Sequence, residues 1–212
     1  MKTLHIGDYT NKYESLFPSR FMRWWLRRPI AGLLTHWLFQ GLFYMDRTER
    51  CFKLALDVLL TVLLAKQFHH KRRQSTIWLM SFLSAHTVNF LINGQLWVVL
   101  KHYGLVRNSP EHFQRQRQQL TEQVQVETSL QYAAIYGSIV RGEWRPSSDL
   151  DVRLIRFPGF VNGLRACLFV LRQRARALVT AFPLDIYILD SIKKLDLRND
   201  ESPLILLQRE SD

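Results

Sequence analysis

Cysteine is scarce in this chain: 212 residues contain two, Cys51 and Cys167. They fall in different halves and neither stands in a metal-ligand spacing, so reduced, structural thiols are expected, as in a cytosolic protein. The first residues, MKTLHIGDYTNKYE, lack the apolar core of a secretory signal, so export is not expected. Acids are also few. Lys and Arg number 29 against 18 Asp and Glu, a net charge of +11. The imbalance is local: residues 1–112 hold 15 basic against 6 acidic residues, and residues 113–212 hold 14 against 12. Five of the six tryptophans also lie in the first part. The length suits one large domain or two small ones. The composition divides it into a basic, apolar, Trp-rich region (1–112) and a nearly neutral one (113–212). A basic surface favours phosphates, nucleic acid or anionic headgroups, and charge alone does not choose among them.

Charge is missing altogether from long runs of the first region. PIAGLLTHWLFQGLFYM (29–45) has none, and LALDVLLTVLLAKQF (54–68) is strongly apolar around Asp57. IWLMSFLSAHTVNFLINGQLWVVL (77–100) runs for 24 residues without Asp, Glu, Lys or Arg, more than the roughly 20 needed to cross a bilayer. Trp78 and Trp97 stand near its ends, where interfacial aromatics are expected. Against spanning, His86, Asn89, Asn93 and Gln95 are costly in lipid unless they face other helices, and the first two runs are short. The basic flanks RFMRWWLRR and KQFHHKRR both prefer the cytoplasmic side. An even number of crossings, or one stretch lying in the interface, is therefore expected, and RFMRWWLRR has the Arg and Trp content of an interfacial anchor. Membrane association is the expectation for this all-α region; a soluble bundle buried on most sides is the alternative.

Arg107 and His112 form an R-x4-H pair, but Pro110 argues against a helix carrying both, so a polar linker is expected there. Residues 111–131, rich in Gln and charge, predict a helix leading out of the first region. Beyond it the pattern changes. YAAIY (132–136) reads as a strand ended by Gly137-Ser138, and IVRGEW as the start of a helix. DLDVRLI (149–155) alternates, which puts Asp149, Asp151 and Arg153 on one face and Leu150, Val152 and Leu154 on the other. VNGLRACLFVLRQRARALVTAF (161–182) has helical spacing, and PLDIYIL (183–189) is a third short strand with Asp185 near its start. A small mixed α/β unit follows. Arg165, Arg172 and Arg176 share one helical face, either a solvated stripe or a surface for RNA, an acidic partner or lipid phosphate.

Gly-Ser after an apolar strand, ten residues, Asp-x-Asp in a second strand and a carboxylate on a later one together resemble the nucleotidyltransferase superfamily that includes DNA polymerase beta and the minimal nucleotidyltransferases. Gly137, Ser138, Arg141, Gly142, Pro146, Ser148, Asp149 and Asp151 also meet the finer pattern Gly-Ser-x-x-Arg-Gly, then Pro-x-Ser-Asp-x-Asp. The resemblance covers roughly residues 130–212, with its core at about 130–190. It implies an α/β nucleotidyltransferase domain with a short mixed sheet, which moves NMP from an NTP, ATP by default, to a hydroxyl acceptor. That acceptor is a protein, a small or lipid-linked metabolite, or an RNA end; long nucleic acid is not favoured, because the extra domains that grip it are lacking.

By the same resemblance, Asp149, Asp151 and Asp185 are the catalytic and metal-binding carboxylates. They would hold Mg²⁺, with Mn²⁺ as the alternative, in a two-ion site, and Asp185 is also a candidate general base. Gly137, Ser138, Arg141 and Ser148 would bind the nucleotide: Gly137 by close backbone approach, Ser138 at a helix N-terminus and Arg141 through a charge-assisted bond. Arg153 departs from the apolar residue common after Asp-x-Asp; it either binds phosphate or pairs with an aspartate. Two other functions remain open: a catalytically silent nucleotide-binding module on a membrane anchor, and an antitoxin-type partner of a HEPN-like ribonuclease, whose R-x4-H spacing Arg107 and His112 resemble. The expected location is the membrane, with the catalytic domain in the cytoplasm; a soluble cytoplasmic protein is the alternative.

Overall fold

The computed structural model describes residues 28–67, 74–101, 103–195 and 202–210. Of the two basic flanks, RFMRWWLRR apart from Arg28 and residues 68–73 lie outside them. The protein is mixed α/β: a helical N-terminal region precedes a four-stranded mixed sheet with interleaved helices.

The N-terminal region comprises α1 (Pro29–Phe39), α2 (Arg47–Gln67), α3 (Gln74–Asn93) and α4 (Leu96–Lys101). Proline opens α1, where its missing N–H removes no helical bond. Gln40, in the left-handed region at φ 47°, closes it. The 24-residue apolar run does not form one helix. Gly94 donates to Phe90 O at 2.7 Å, a Cβ at that position would collide with the same carbonyl, and Gln95 has φ 55°. The chain turns there, and α3 and α4 are separate.

The polarity of this region is inverted. On α2 the buried stripe is Glu49, Lys53 and Asp57, while Leu54, Val58, Leu59 and Leu63 are exposed. On α3, Ser81, His86, Asn89 and Asn93 are buried, and Trp78, Leu79, Met80 and Phe82 are exposed. The buried groups satisfy one another. Asp57 accepts from His86 Nδ1 and Asn89 Nδ2, each at 2.8 Å, and Lys53 Nζ donates to the Gln40 and Asn93 carbonyls at 2.7 and 2.9 Å. The polar residues that looked costly in lipid therefore do face other helices.

The second region contains α5 (Pro110–Val126), β1 (Leu130–Tyr136), β2 (Leu150–Arg156), α6 (Phe160–Val179), β3 (Leu184–Leu189) and β4 (Leu204–Gln208). Pro110 begins α5 rather than excluding a helix: it occupies the first turn, and Ser109 Oγ caps the helix by accepting from His112 N at 3.2 Å. Arg107 stays outside and exposed, so the R-x4-H pair does not share a helix. Nor does IVRGEW start an α-helix. Gly137–Ile139 is one 3-10 turn, and the bonds Gly142 N to Ile139 O and Glu143 N to Ser138 O close the chain on itself. Gly142, at φ 73°, then reverses it.

Strand order is β3-β2-β1-β4, with β1 antiparallel to β2 and β4, and β2 parallel to β3 through α6. β4 was not foreseen. Leu150, Val152 and Leu154 of β2 and Leu184, Ile186 and Ile188 of β3 pack on α5 and α6 through Phe113, Leu120, Phe169 and Val170. Burying one such side chain contributes about 1.5–3 kcal/mol. Alternation turns Asp151, Arg153 and Asp185 to the opposite face. The helices also cover the edge of β3. Glu49 Oε2 accepts from Ile188 N at 2.8 Å, Gln95 Nε2 donates to Ile186 O at 2.9 Å, and Arg174 bonds Glu49 Oε1 at 2.6 Å and Asn93 Oδ1 at 2.7 Å. An edge strand left open is a template for unwanted pairing; here the N-terminal region closes it.

Glu49 and Arg174 are only 2 % and 1 % exposed at their side chains, so removing one leaves the other charged and buried. Glu49→Ala is expected to destabilise the protein by about 3–5 kcal/mol in denaturant unfolding, well beyond a surface carboxylate such as Glu122→Ala.

Candidate active site

Three loops and strand ends bring the sequence-predicted residues together. Tyr136, the last residue of β1, pairs with Asp151 on β2, and Asp151 pairs with Asp185 on β3. Gly137 follows with φ 84°, and a Cβ there would collide with Asp151 Oδ2. Glycine is thus required twice, by the backbone and by the carboxylate pressed against it. Ser138 Oγ donates to Ser148 Oγ at 3.0 Å, and Ser148 Oγ also accepts from Arg145 N at 3.0 Å. These bonds tie the two ends of the β1–β2 loop just before Asp149. Ser138 is not at an α-helix N-terminus, since the 3-10 turn is three residues long. Arg141 is partly exposed and pairs with Glu143 at 3.2 Å.

Each outer carboxylate meets a cation. Lys101, at the end of α4, forms an ion pair with Asp149, both side chains being nearly buried. Asp185 is buried at 4 % exposure rather than on the surface. Its Oδ2 accepts from Arg153 Nη2 at 3.2 Å, and its carbonyl from Nη1 at 3.1 Å. The Arg153 guanidinium also lies 5.0 Å from the centroid of the Tyr187 ring. Burial works against its charge, but Asp185 and Asp151 outweigh that and hold it protonated. The departure at Arg153 therefore has a structural answer: it is a carboxylate partner.

Asp151 lies between the two pairs. Burial, then Asp149, then Asp185 push its carboxyl well above the ordinary carboxylate range, with Arg153 opposing. Among the described residues no group of three or more His, Cys, Asp or Glu side chains is gathered as a metal cage. Pairwise, however, the carboxylates are close enough to perturb Asp151, and hard oxygens are the donors Mg²⁺ prefers. The Lys101 ammonium occupies Asp149 and Arg153 occupies Asp185.

Sequence reasoning missed Lys101, Gln95 and the Glu49–Arg174 pair. Tyr187 OH donates to Gln95 Oε1 at 3.2 Å across 92 residues, a contact with no local signal. The expected arginine stripe is only partly free: Arg165 and Arg172 are exposed, whereas Arg176 bonds Gln119 of α5. Both cysteines are unpaired, Cys51 exposed and Cys167 buried. Burial, then Glu49, push the Cys167 thiol up to about 12, as suits a structural residue.

In comparisons with known proteins, no family model, no curated protein and no solved structure matches this chain.

Two measurements test the electrostatics. Asp151 keeps its proton in the folded state to a higher pH than in the unfolded chain. Between those two values the folded state binds more protons, so stability falls as pH rises. Thermal unfolding in chelator is expected to show this fall from the ordinary carboxylate range upward, and Asp151→Asn to flatten it. Separately, a hydrogen bond between charged groups is worth about 1.5–3 kcal/mol. Lys101→Met is thus expected to tighten Mn²⁺ binding by roughly tenfold or more, read by electron paramagnetic resonance; unchanged affinity would mean that Lys101 does not compete with the ion.

Proposed function

We propose that the protein is a metal-dependent nucleotidyltransferase, with a domain of the nucleotidyltransferase superfamily at about residues 130–212. The observation that carries this reading is Gly137 pressed against Asp151, which stands in register with Asp185 on one sheet face. An antiparallel β1–β2 pair followed by a parallel β3 suits the Gly-Ser, Asp-x-Asp and third-carboxylate pattern.

Nucleotidyl transfer moves a negatively charged phosphoryl centre, so its catalysis is mainly positioning and charge neutralisation. Asp149, Asp151 and Asp185 would hold a divalent ion, which would supply that neutralisation. The chain does the rest. Backbone at Gly137 allows phosphate to approach closely, and the Ser138 and Ser148 hydroxyls keep the β1–β2 loop in shape around it. Arg141, partly exposed at the loop, meets the phosphates by leaving Glu143. Lys101, displaced from Asp149, and Arg153 leave positive charge beside the carboxylates. Asp185, the general base that the sequence pattern offers, would take the proton of the acceptor hydroxyl once Arg153 leaves its Oδ2.

A second reading rests on a specific observation: Lys101 and Arg153 already neutralise Asp149 and Asp185. A site so filled suits a silent nucleotide-binding module that turns nothing over.

Full-length protein incubated with α-labelled or γ-labelled NTP, Mg²⁺ and a cell extract containing membranes separates the readings. Transfer of the α label, lost in Asp151→Asn, is the expected result. Transfer of the γ label would mean kinase chemistry and end the proposal. Nucleotide binding without transfer, unchanged in Asp149→Ala, would establish the silent module.

A further inference from the structure

The inverted polarity of α2 and α3 is not absorbed by the carboxylate site. A helix of a soluble domain turns its apolar stripe to the core. Here Glu49, Lys53, Asp57, His86 and Asn89 face inward, and Leu38, Val58, Leu63, Trp78, Leu79 and Phe82 face out. Polar residues turned to the bundle interior and apolar ones turned outward are the arrangement expected where the outer solvent is lipid. The exposed apolar residues are spread over three helices, beyond the scattered singles that need no explanation.

Charge selects the occupant. All three described acids between residues 28 and 101 are paired: Asp46 with Lys194, Glu49 with Arg174 and Asp57 with His86. Arg28, Arg47 and Lys66 are exposed in the same region. The sequence from residue 58 to residue 110 contains no Asp or Glu. A second copy of the chain would bring like charges together at such a face, whereas anionic headgroups complement it. Among the described residues, one helix is long and apolar enough to cross a membrane, α3, and it packs on its other side against α2 and α6. Because α6 exposes Arg165 and Arg172, hydrocarbon cannot surround this assembly, and contact by one face remains.

We propose that the outward face of α1, α2 and α3 docks on an anionic lipid bilayer, its apolar side chains at the headgroup–acyl boundary and its basic residues on lipid phosphates. This surface is independent of nucleotidyl transfer, and either can fail without the other.

The test uses full-length protein and vesicles of phosphatidylcholine, alone or mixed with phosphatidylglycerol. The protein is expected to float with the mixed vesicles. Val58→Glu with Leu79→Glu should reduce flotation at least tenfold, and Val126→Glu, an exposed apolar site on α5, should leave it unchanged. An environment-sensitive fluorophore on Leu79→Cys, in a Cys51→Ser background, keeps the proposal open to refutation should the charged variant not fold. Its emission should shift to the blue on mixed vesicles and be quenched by chain-labelled lipid. Protein that stays in the aqueous fraction overturns the proposal. So does equal flotation on phosphatidylcholine alone, which removes the anionic lipid, and so does a lipid-free dimer with the fluorophore protected, which gives the face to a second copy.

Discussion

Asp151 and Asp185 stand opposite each other on adjacent strands, with Asp149 two residues from the first, and much of the surrounding structure answers their mutual repulsion. A parallel pair in this register cannot turn one acid away without reversing the whole strand face, so relief has to come from cations. The chain provides two, from different places: Arg153 from the same strand face, and Lys101 from the end of α4. Asp151, between them, is pushed well above the ordinary carboxylate range by burial, Asp149 and Asp185, with Arg153 opposing. The three acids thus meet three different surroundings on one face.

The second cation ties the site to the helical region, and the Glu49–Arg174 pair makes that tie rigid. Arg174 comes from α6, behind the sheet, and Glu49 from α2. Both reach the backbone of β3 within two residues of each other. Because β3 carries Asp185 and is one edge of the sheet, the helices that cover that edge also set where Asp185 stands. Lys101 follows from the same docking: Gln95, just before α4, bonds Ile186 O and accepts from Tyr187, which fixes the short helix whose last residue meets Asp149. The N-terminal region is therefore part of the carboxylate site's construction.

What could be read from the sequence was what short-range geometry determines. Alternation along DLDVRLI puts the acids on one face because a strand has period two, whereas Gly137 stands out through the Gly-Ser pattern of the resemblance. Asp185 was found from a short apolar run, although its burial was not. The misses have other causes. Pro110 reads as a breaker but is equally a helix opener, a choice that Ser109 one residue earlier decides. IVRGEW has helical residues, but Gly142 and the bond from Glu143 to Ser138 turn it back after one 3-10 turn. β4, LILLQ, has no alternation to announce it and is held by pairing with β1. Lys101 and Gln95 act through contacts that no local pattern encodes.

The apolar runs of the first region show the limit of composition most clearly. Counted along the chain, 77–100 is long enough to span a bilayer; folded, it breaks at Gly94, where backbone crowding leaves no room for a side chain. Hydropathy averages over all faces of a helix, and on α2 and α3 the average hides opposite extremes. A helix with its charges inside and its leucines outside has much the same composition as one with the reverse arrangement. Buried charge is tolerable here because partners are supplied by other helices and by β3: His86 and Asn89 for Asp57, two carbonyls for Lys53, Arg174 and a strand amide for Glu49. With polar groups satisfied inward, nothing requires the outer face to be polar, and the residues left there are those that water disfavours. The same inward network that closes the edge of the sheet thereby frees the opposite surface for an apolar environment.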